Sequence, residues 1–284
     1  MLDRTNALAA LRRSALVRDD SGPQRIYRDA AGTIYFSVTT ILSATADKSA
    51  LEGWAKRQDA IYGAGAAEQD RNTAATRGTQ AHNQAEFLLK TTNKVARAVA
   101  NKRGSLRLDP YGLPHIPTPV FKWAMGRTLP GVPPVSLSAK GYAKSLLGWI
   151  TENVTQCHAS EFSIHHPAGF AGTADCLASV AAETLESHGE TPALAGAPFI
   201  LDWKTSANRR SPEMLADYTL QLGAYSLGLE HLTNIEPAGA FIVVARRVGP
   251  PDVTYVNRDQ LVLAQDGYLT RCRQFFEAIQ ELHS

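Results

Sequence analysis

The sequence has few cysteines, little net charge of either sign and no long apolar runs. Its 284 residues include three cysteines, Cys157, Cys176 and Cys272, and no two of them form a C-x-x-C pair. That scatter argues against a zinc ribbon, an iron–sulfur cluster and a disulfide framework, and it points to a reducing compartment. No apolar stretch approaches the roughly 20 residues of a membrane-spanning helix, and no secretory signal opens the chain, so no membrane partner is expected. Repeats and low-complexity tracts are absent as well. The net charge is only +2, so any surface for nucleic acid must be local. The pairs Arg12-Arg13, Lys102-Arg103, Arg209-Arg210 and Arg246-Arg247 are the candidates for such patches.

The composition is that of a globular protein, and the length suffices for a substantial core. A single domain over 1–284 is expected, with an N-terminal hairpin and helices over 1–71. Its core falls in 72–90 and 136–284, interrupted by an irregular insertion over 91–135. Residues 4–18 have a partial apolar stripe, Leu8, Leu11, Ala15 and Leu16, and read as a short amphipathic helix rather than a mitochondrial presequence. Residues 24–36 read as a hairpin turning through Asp29-Ala30-Ala31-Gly32. Ser37-Val38-Thr39-Thr40-Ile41-Leu42 follows as a helix start with hydroxyls able to meet phosphate. Ser49 reads as the cap of the next helix. A longer helix is expected over 72–90. Glycines and prolines break up 91–135, which would cover or shape a site.

A helix over about 136–154 restores order. The second half then has strands at 160–165, 172–180 and 199–205, a loop over 181–197, a helix from Ser211 to about Leu229, a strand at 238–246 and a closing helix over 260–282. Ser211-Pro212-Glu213 is a strong helix start, with a hydroxyl cap, proline at the first helical position and an acid in the first turn. Short turns join the first strands, so an α/β sandwich with a mixed sheet is expected.

The strand Phe199-Ile200-Leu201-Asp202-Trp203-Lys204-Thr205 is the centre of the chemistry. Side chains two apart on a strand share a face, so Asp202 and Lys204 stand side by side. A carboxylate that binds a hard cation beside an ammonium that steadies negative charge suits metal-assisted attack on phosphate. Glu161 and Asp175 lie on the two preceding strands, with Gly172 opening Gly172-Thr173-Ala174-Asp175. His82 lies on a helix four residues before Glu86, on the same face. Three carboxylates and one imidazole make an oxygen-rich site better suited to Mg²⁺ or Mn²⁺ than to structural zinc. Gln221 and Tyr225, with Asp217 a turn earlier, form a polar stripe on the helix after Lys204.

The order H-x-x-x-E, E, G-x-x-D, D-W-K and Q-L-x-A-Y resembles the PD-(D/E)xK nuclease superfamily, in its RecB-like exonuclease branch. Ser37-Val38-Thr39-Thr40-Ile41-Leu42, Lys48, Leu51 and Trp54, with Arg77-Gly78-Thr79 before His82, look similar to the mitochondrial genome maintenance exonucleases and their phage relatives. These landmarks span about residues 35–225. Ala174 stands where the nominal proline would be, and the four-cysteine cluster of some relatives is missing, which sets an iron–sulfur form aside.

The resemblance implies a restriction-endonuclease-like core, a mixed central sheet flanked by helices, with a helical N-terminal elaboration. Asp175, Asp202, His82 and the Trp203 carbonyl would hold Mg²⁺ or Mn²⁺. Glu161 would serve a second metal or hold a metal-bound water. Lys204 would position the attacking water or help deprotonate it, and Gln221 and Tyr225 would orient the DNA strand or brace the lysine. Ser37, Thr39 and Arg77 are candidate DNA phosphate contacts, and Trp54 and Trp123 would stack unpaired bases. The implied activity is exonucleolytic hydrolysis of DNA from single-stranded or processed ends, in recombination, repair or degradation. A recombination or single-strand-binding protein is the implied partner, and the implied location is the cytoplasm of a bacterium or phage-infected host rather than a mitochondrion. The alternatives are a structure-specific or restriction-like endonuclease and a non-catalytic nucleic-acid-binding recombination partner.

Overall fold

The computed structural model describes Leu11, residues 16–127 and residues 130–281. Most of the expected helix over 4–18, including Arg12-Arg13, lies outside the described residues. Its end is extended, because Val17–Asp19 forms strand β1. The hairpin follows as β2 (Ile26–Arg28) and β3 (Ile34–Ser37), antiparallel. Asp29 Oδ1 accepts the Ala31 and Thr33 N–H groups, and Gly32 supplies the positive φ of +84° that this turn needs.

Helices α1 (Val38–Thr45) and α2 (Ser49–Tyr62) come next. Ser49 is the first helical residue and not the cap. The Asp47 carboxylate accepts its N–H instead. Helix α3 runs over Ala66–Lys102, well beyond the expected 72–90. It absorbs the start of the supposed insertion because Thr92, Ala96 and Ala100 continue a buried stripe at helical spacing. The rest of that segment holds the short strands β4 (Arg107–Leu108) and β5 (Pro114–His115) and helix α4 (Thr118–Met125). Helix α5 (Leu137–Asn153) then leads straight into β6 (Val154–His166), which is longer than expected. Strand β7 covers Phe170–Val180. The expected loop over 181–197 contains a short helix, α6 (Ala182–Ser187).

The remaining elements are β8 (Phe199–Ser206), α7 (Pro212–Thr233), β9 (Gly239–Arg246), β10 (Asp252–Asn257) and α8 (Arg258–Glu281). Ser211 caps α7 as expected, its hydroxyl accepting the Met214 N–H at 3.4 Å. Strand β10 was not anticipated. It is a short edge strand, antiparallel to β9.

The protein is α/β, with a mixed sheet ordered β1-β2-β3-β7-β8-β9-β10 and β6 paired to β7. The β3–β7 and β8–β9 pairs are parallel, and the others are antiparallel. Alternation along β8 sends Phe199, Leu201 and Trp203 into a core with α3, α4 and α5, while Ile200 enters a second core with α1, α7 and α8. Helices therefore cover both faces. Close packing depends on glycine: a Cβ at Gly223 on α7 would lie 2.4 Å from the Ala264 backbone of α8. Among the described residues no helix is long and apolar enough to cross a membrane.

One irregularity of the sheet positions the site. Strand β6 runs along one edge of β7 from Val180 back to Phe170. The other edge pairs with β8 at Cys176, Leu177 and Ala178, and with β3 only at Phe170 and Ala171. Between those two partners, at residues 172–175, β7 and β8 part, and groups from both helical layers can meet in the fork.

Candidate metal centre

Asp175 stands at the mouth of the fork. Its Oδ2 accepts the Trp203 N–H at 2.6 Å, so the carboxylate takes over where the backbone ladder lapses. Its Oδ1 lies 3.4 Å from His82 Nδ1 on α3. Glu161 on β6 is directly across from Asp175, by continuation of the Ser160↔Cys176 and Phe162↔Ala174 register. Glu161 has φ +49°, a left-handed conformation that costs a non-glycine residue about 1–2 kcal/mol. Such strain persists where the surroundings fix a side chain for a purpose. One ligand atom each from His82, Glu161 and Asp175 lies within 4.8 Å of the others, the spread of a single cation's coordination shell.

Asp202 and Lys204 share the α7 face of β8, as their spacing requires. Lys204 Nζ lies 2.5 Å from Asp202 Oδ2, and the Asp202 side chain is 2% exposed. The ammonium is therefore the charged partner of this buried oxygen. Lys204 also lies over the Tyr218 ring, 4.9 Å from its centroid, and Arg210 approaches the same ring at 5.9 Å. Tyr218 therefore braces the lysine. It was missed in the sequence, although it lies three residues before Gln221 on the same helical stripe.

The electrostatics are those of a cluster with too much negative charge. Burial, then the charges of Asp175 and Glu86, push the Glu161 carboxyl up to about 7. Burial also raises Asp202, to about 6, against the pull of Lys204. Burial works against ionised Asp175 too, but His82, Lys204 and the Trp203 N–H overcome it and lower its pKa. For His82 the Asp175 carboxylate outweighs burial and raises the pKa. A divalent cation would relieve the crowding of the carboxylates. The two carboxylates and the imidazole of Glu161, Asp175 and His82 fit such an ion, while Asp202 lies outside that group and is turned to Lys204.

The other expected site residues are placed differently. Gln221 Nε2 donates to the Tyr225 hydroxyl at 2.6 Å, and both side chains are buried, so their polar ends are spent on each other. The Tyr225 ring also fills the space beside Gly172, where an added Cβ would stand 2.9 Å from it. The glycine thus makes room for this ring and for Val38. Asp217 pairs with Arg271 of α8 at 3.5 Å. Ser37 is buried and Thr39 exposed, with their hydroxyls 2.9 Å apart. Arg77 lies over the Tyr142 ring at 5.8 Å, and a Cβ on its neighbour Gly78 would meet Thr205 Oγ1 at 3.2 Å, which holds α3 close to β8. Trp123 is half exposed beneath the Arg127 guanidinium, while the Trp203 side chain is core, packed edge-on against Trp149.

The fold and the site together define an α/β protein with a mixed sheet and a carboxylate–imidazole cluster in a strand fork. No protein-family model matches the sequence, and no curated protein matches it.

Proposed function

We propose that the protein is a Mg²⁺- or Mn²⁺-dependent deoxyribonuclease of the PD-(D/E)xK type, on a restriction-endonuclease-like core, that hydrolyses DNA from its ends. One observation supports this most: His82, Glu161 and Asp175 converge at the strand fork beside the buried Asp202–Lys204 pair. Two carboxylates and an imidazole close enough to share one cation, beside a buried carboxylate–ammonium pair, suit metal-assisted attack on phosphate. Asp175, Glu161 and His82 would hold the cation, with Asp202 and the Trp203 carbonyl as further candidate ligands. When bound, the cation polarises the phosphate and lowers the pKa of water. Lys204, held by Asp202 and Tyr218, orients the nucleophilic water and offsets charge developing on the phosphate. Thr39 and Arg77, with Ser37 buried behind Thr39, are candidates for contacts with flanking phosphates, while Gln221 and Tyr225 act indirectly by fixing the floor of the fork. End processing in recombination, repair or degradation in a reducing cytoplasm, beside a single-strand-binding partner, is the setting this activity suits.

The activity is tested by offering linear and circular single-stranded DNA of one sequence in Mg²⁺. Shortening of the linear form alone supports an end-dependent enzyme. Cutting of the circle would replace it with an endonuclease, and binding without hydrolysis of either would leave a non-catalytic DNA-binding partner.

A second expectation concerns pH. Glu161 ionises near pH 4.5 when unfolded and near 7 when folded, so between those values the folded state holds a proton that the unfolded state has released. Stability of the metal-free protein therefore falls as pH rises through that window. Asp202, raised from 3.8 to about 6, acts in the same direction, as does His82 above its ordinary 6.5. Mn²⁺ binds the deprotonated groups, so its upward shift of the melting temperature grows from pH 5 to pH 8, and Glu161→Gln flattens the trend. A metal shift independent of pH in calorimetry would contradict this assignment of ligands.

A further inference from the structure

Three segments without carboxylates meet at one end of the sheet. Strands β8 and β9 are parallel and in register to their last residues, Ser206 opposite Arg246, so the chains that follow leave side by side about 5 Å apart. After β8 comes Ala207-Asn208-Arg209-Arg210, and Arg247-Val248-Gly249 follows β9. The third segment is the first half of α5, which lies within a stretch, residues 110–151, that has no Asp or Glu. It is clamped to the same end. A Cβ on Gly141 would stand 2.0 Å from the Arg247 carbonyl oxygen, and Ser145 Oγ accepts the Arg246 N–H at 3.2 Å. With Gly141 and Ser145 facing β9, Lys140 and Lys144 are exposed one step around the helix.

Two of the basic pairs noted in the sequence thus land next to each other, joined by two lysines. Arg246 is neutralised by Asp252 at 2.7 Å. Arg209, Arg247, Lys140 and Lys144 have no ion-pair partner among the described residues and are exposed. Among the described residues Arg210 meets the Tyr218 ring, Met214 and the Thr205 carbonyl, and no carboxylate. Among the described residues, Glu213 follows at the start of α7, and Asp252 is already paired with Arg246. Lys204 sits two residues, about 7 Å, before the end of β8, from which the Arg209-Arg210 segment leaves. In a chain with a net charge of +2, such clustering is local.

We propose that this ledge, formed by Arg209, Arg210, Arg247, Lys140 and Lys144, is a binding track for the phosphodiester backbone of a DNA strand that enters the fork. The inference rests on the nuclease reading for its substrate. Interactions of this kind carry no base preference, and they make affinity depend on salt. The track accordingly accepts single-stranded DNA of any sequence.

The test measures affinity without hydrolysis. A fluorescent single-stranded oligodeoxynucleotide is titrated by anisotropy in EDTA across a series of NaCl concentrations. In the variant Arg209→Gln/Arg247→Gln/Lys144→Gln, the Kd rises by about tenfold or more. The slope of log affinity against log salt becomes shallower by about 2, at roughly 0.7 for each single-strand phosphate that is no longer neutralised. The variant Arg209→Lys/Arg247→Lys keeps the wild-type slope, because it keeps the charges. All three sites are exposed, so urea midpoints stay near wild type and confirm folding. A glutamine variant with the wild-type slope and Kd overturns the track while leaving the nuclease reading intact, provided the wild type digests DNA in Mg²⁺. A wild type that binds through the ledge but fails to digest overturns the nuclease reading alone. Absence of any DNA binding overturns both.

Discussion

Replacing Lys204 by methionine lowers Mg²⁺-supported DNA hydrolysis by about 10²–10³-fold, the usual effect of losing one preorganised charge at a reacting centre. Methionine keeps the length and apolar stem of the side chain but removes the ammonium that lies 2.5 Å from Asp202 and over the Tyr218 ring. Stability changes too, because Asp202 is left buried without its cation. Breaking a fully buried pair costs about 3–5 kcal/mol. Here Lys204 retains 19% exposure and Asp202 can take up a proton, so a loss of about 2 kcal/mol is expected at pH 8. Asp202 already titrates near 6, and losing Lys204 moves it higher, so the stability loss shrinks as pH falls below that value. The double variant Asp202→Asn/Lys204→Met recovers the stability but not the hydrolysis. Urea denaturation at pH 5.5 and pH 8, run beside a digestion assay, checks both. Equal stability loss at the two pH values would mean that the pair is not electrostatically coupled.

Asp175 has two roles that two substitutions separate. Oδ1 faces His82 and the proposed cation position, while Oδ2 accepts the Trp203 N–H where β7 and β8 part. Asparagine has a carbonyl oxygen that can still accept that N–H, but it has no charge. Asp175→Asn therefore lowers hydrolysis by about 10³-fold or more, the several kcal/mol attributed to a correctly held metal ion. Its stability in the absence of metal falls modestly, since His82 and Lys204 lose the carboxylate whose pKa they lower, a loss partly offset because Glu161 loses a neighbouring negative charge. Asp175→Ala lowers hydrolysis equally and also orphans a buried N–H, at a cost of about 1–3 kcal/mol. Urea unfolding of the two variants gives the comparison. If alanine and asparagine destabilise equally, the Trp203 bond does not brace the fork.

Much of this arrangement could be read along the chain, because the strongest signals are local. The hairpin turn at Asp29, the Ser211-Pro212-Glu213 helix start and the alternation along β8 depend on neighbours a few residues apart. Helix α3 was legible only in part. Its Thr91-Thr92-Asn93 run weakens helix propensity, and the buried Thr92, Ala96 and Ala100 that carry the helix onward matter only against the core they meet. Strand β10 is held by its pairing with β9, which local pattern does not reveal.

The identities of the site residues were legible too, but their arrangement depends on contacts distant in sequence. Nothing near Glu161 announces a left-handed residue in mid-strand. Nothing near Asp175 announces that its two neighbouring strands separate there, since that depends on where β3 and β8 each pair with β7. The polar stripe on α7 divides in the structure, with Asp217 paired to Arg271 of α8. Which of its members reaches the lysine depends on helix rotation, and rotation sets Tyr218 over Lys204 while turning Gln221 and Tyr225 toward each other.

The location of a bound Mn²⁺ ion tests the central claim most directly. Anomalous scattering from a crystal grown with Mn²⁺ should show a strong peak in the fork, within coordinating distance of the Glu161 and Asp175 carboxylates and His82. The peak should be lost in Asp175→Asn. Full occupancy elsewhere on the protein, with no peak in the fork, would contradict the metal centre and the hydrolytic function built on it.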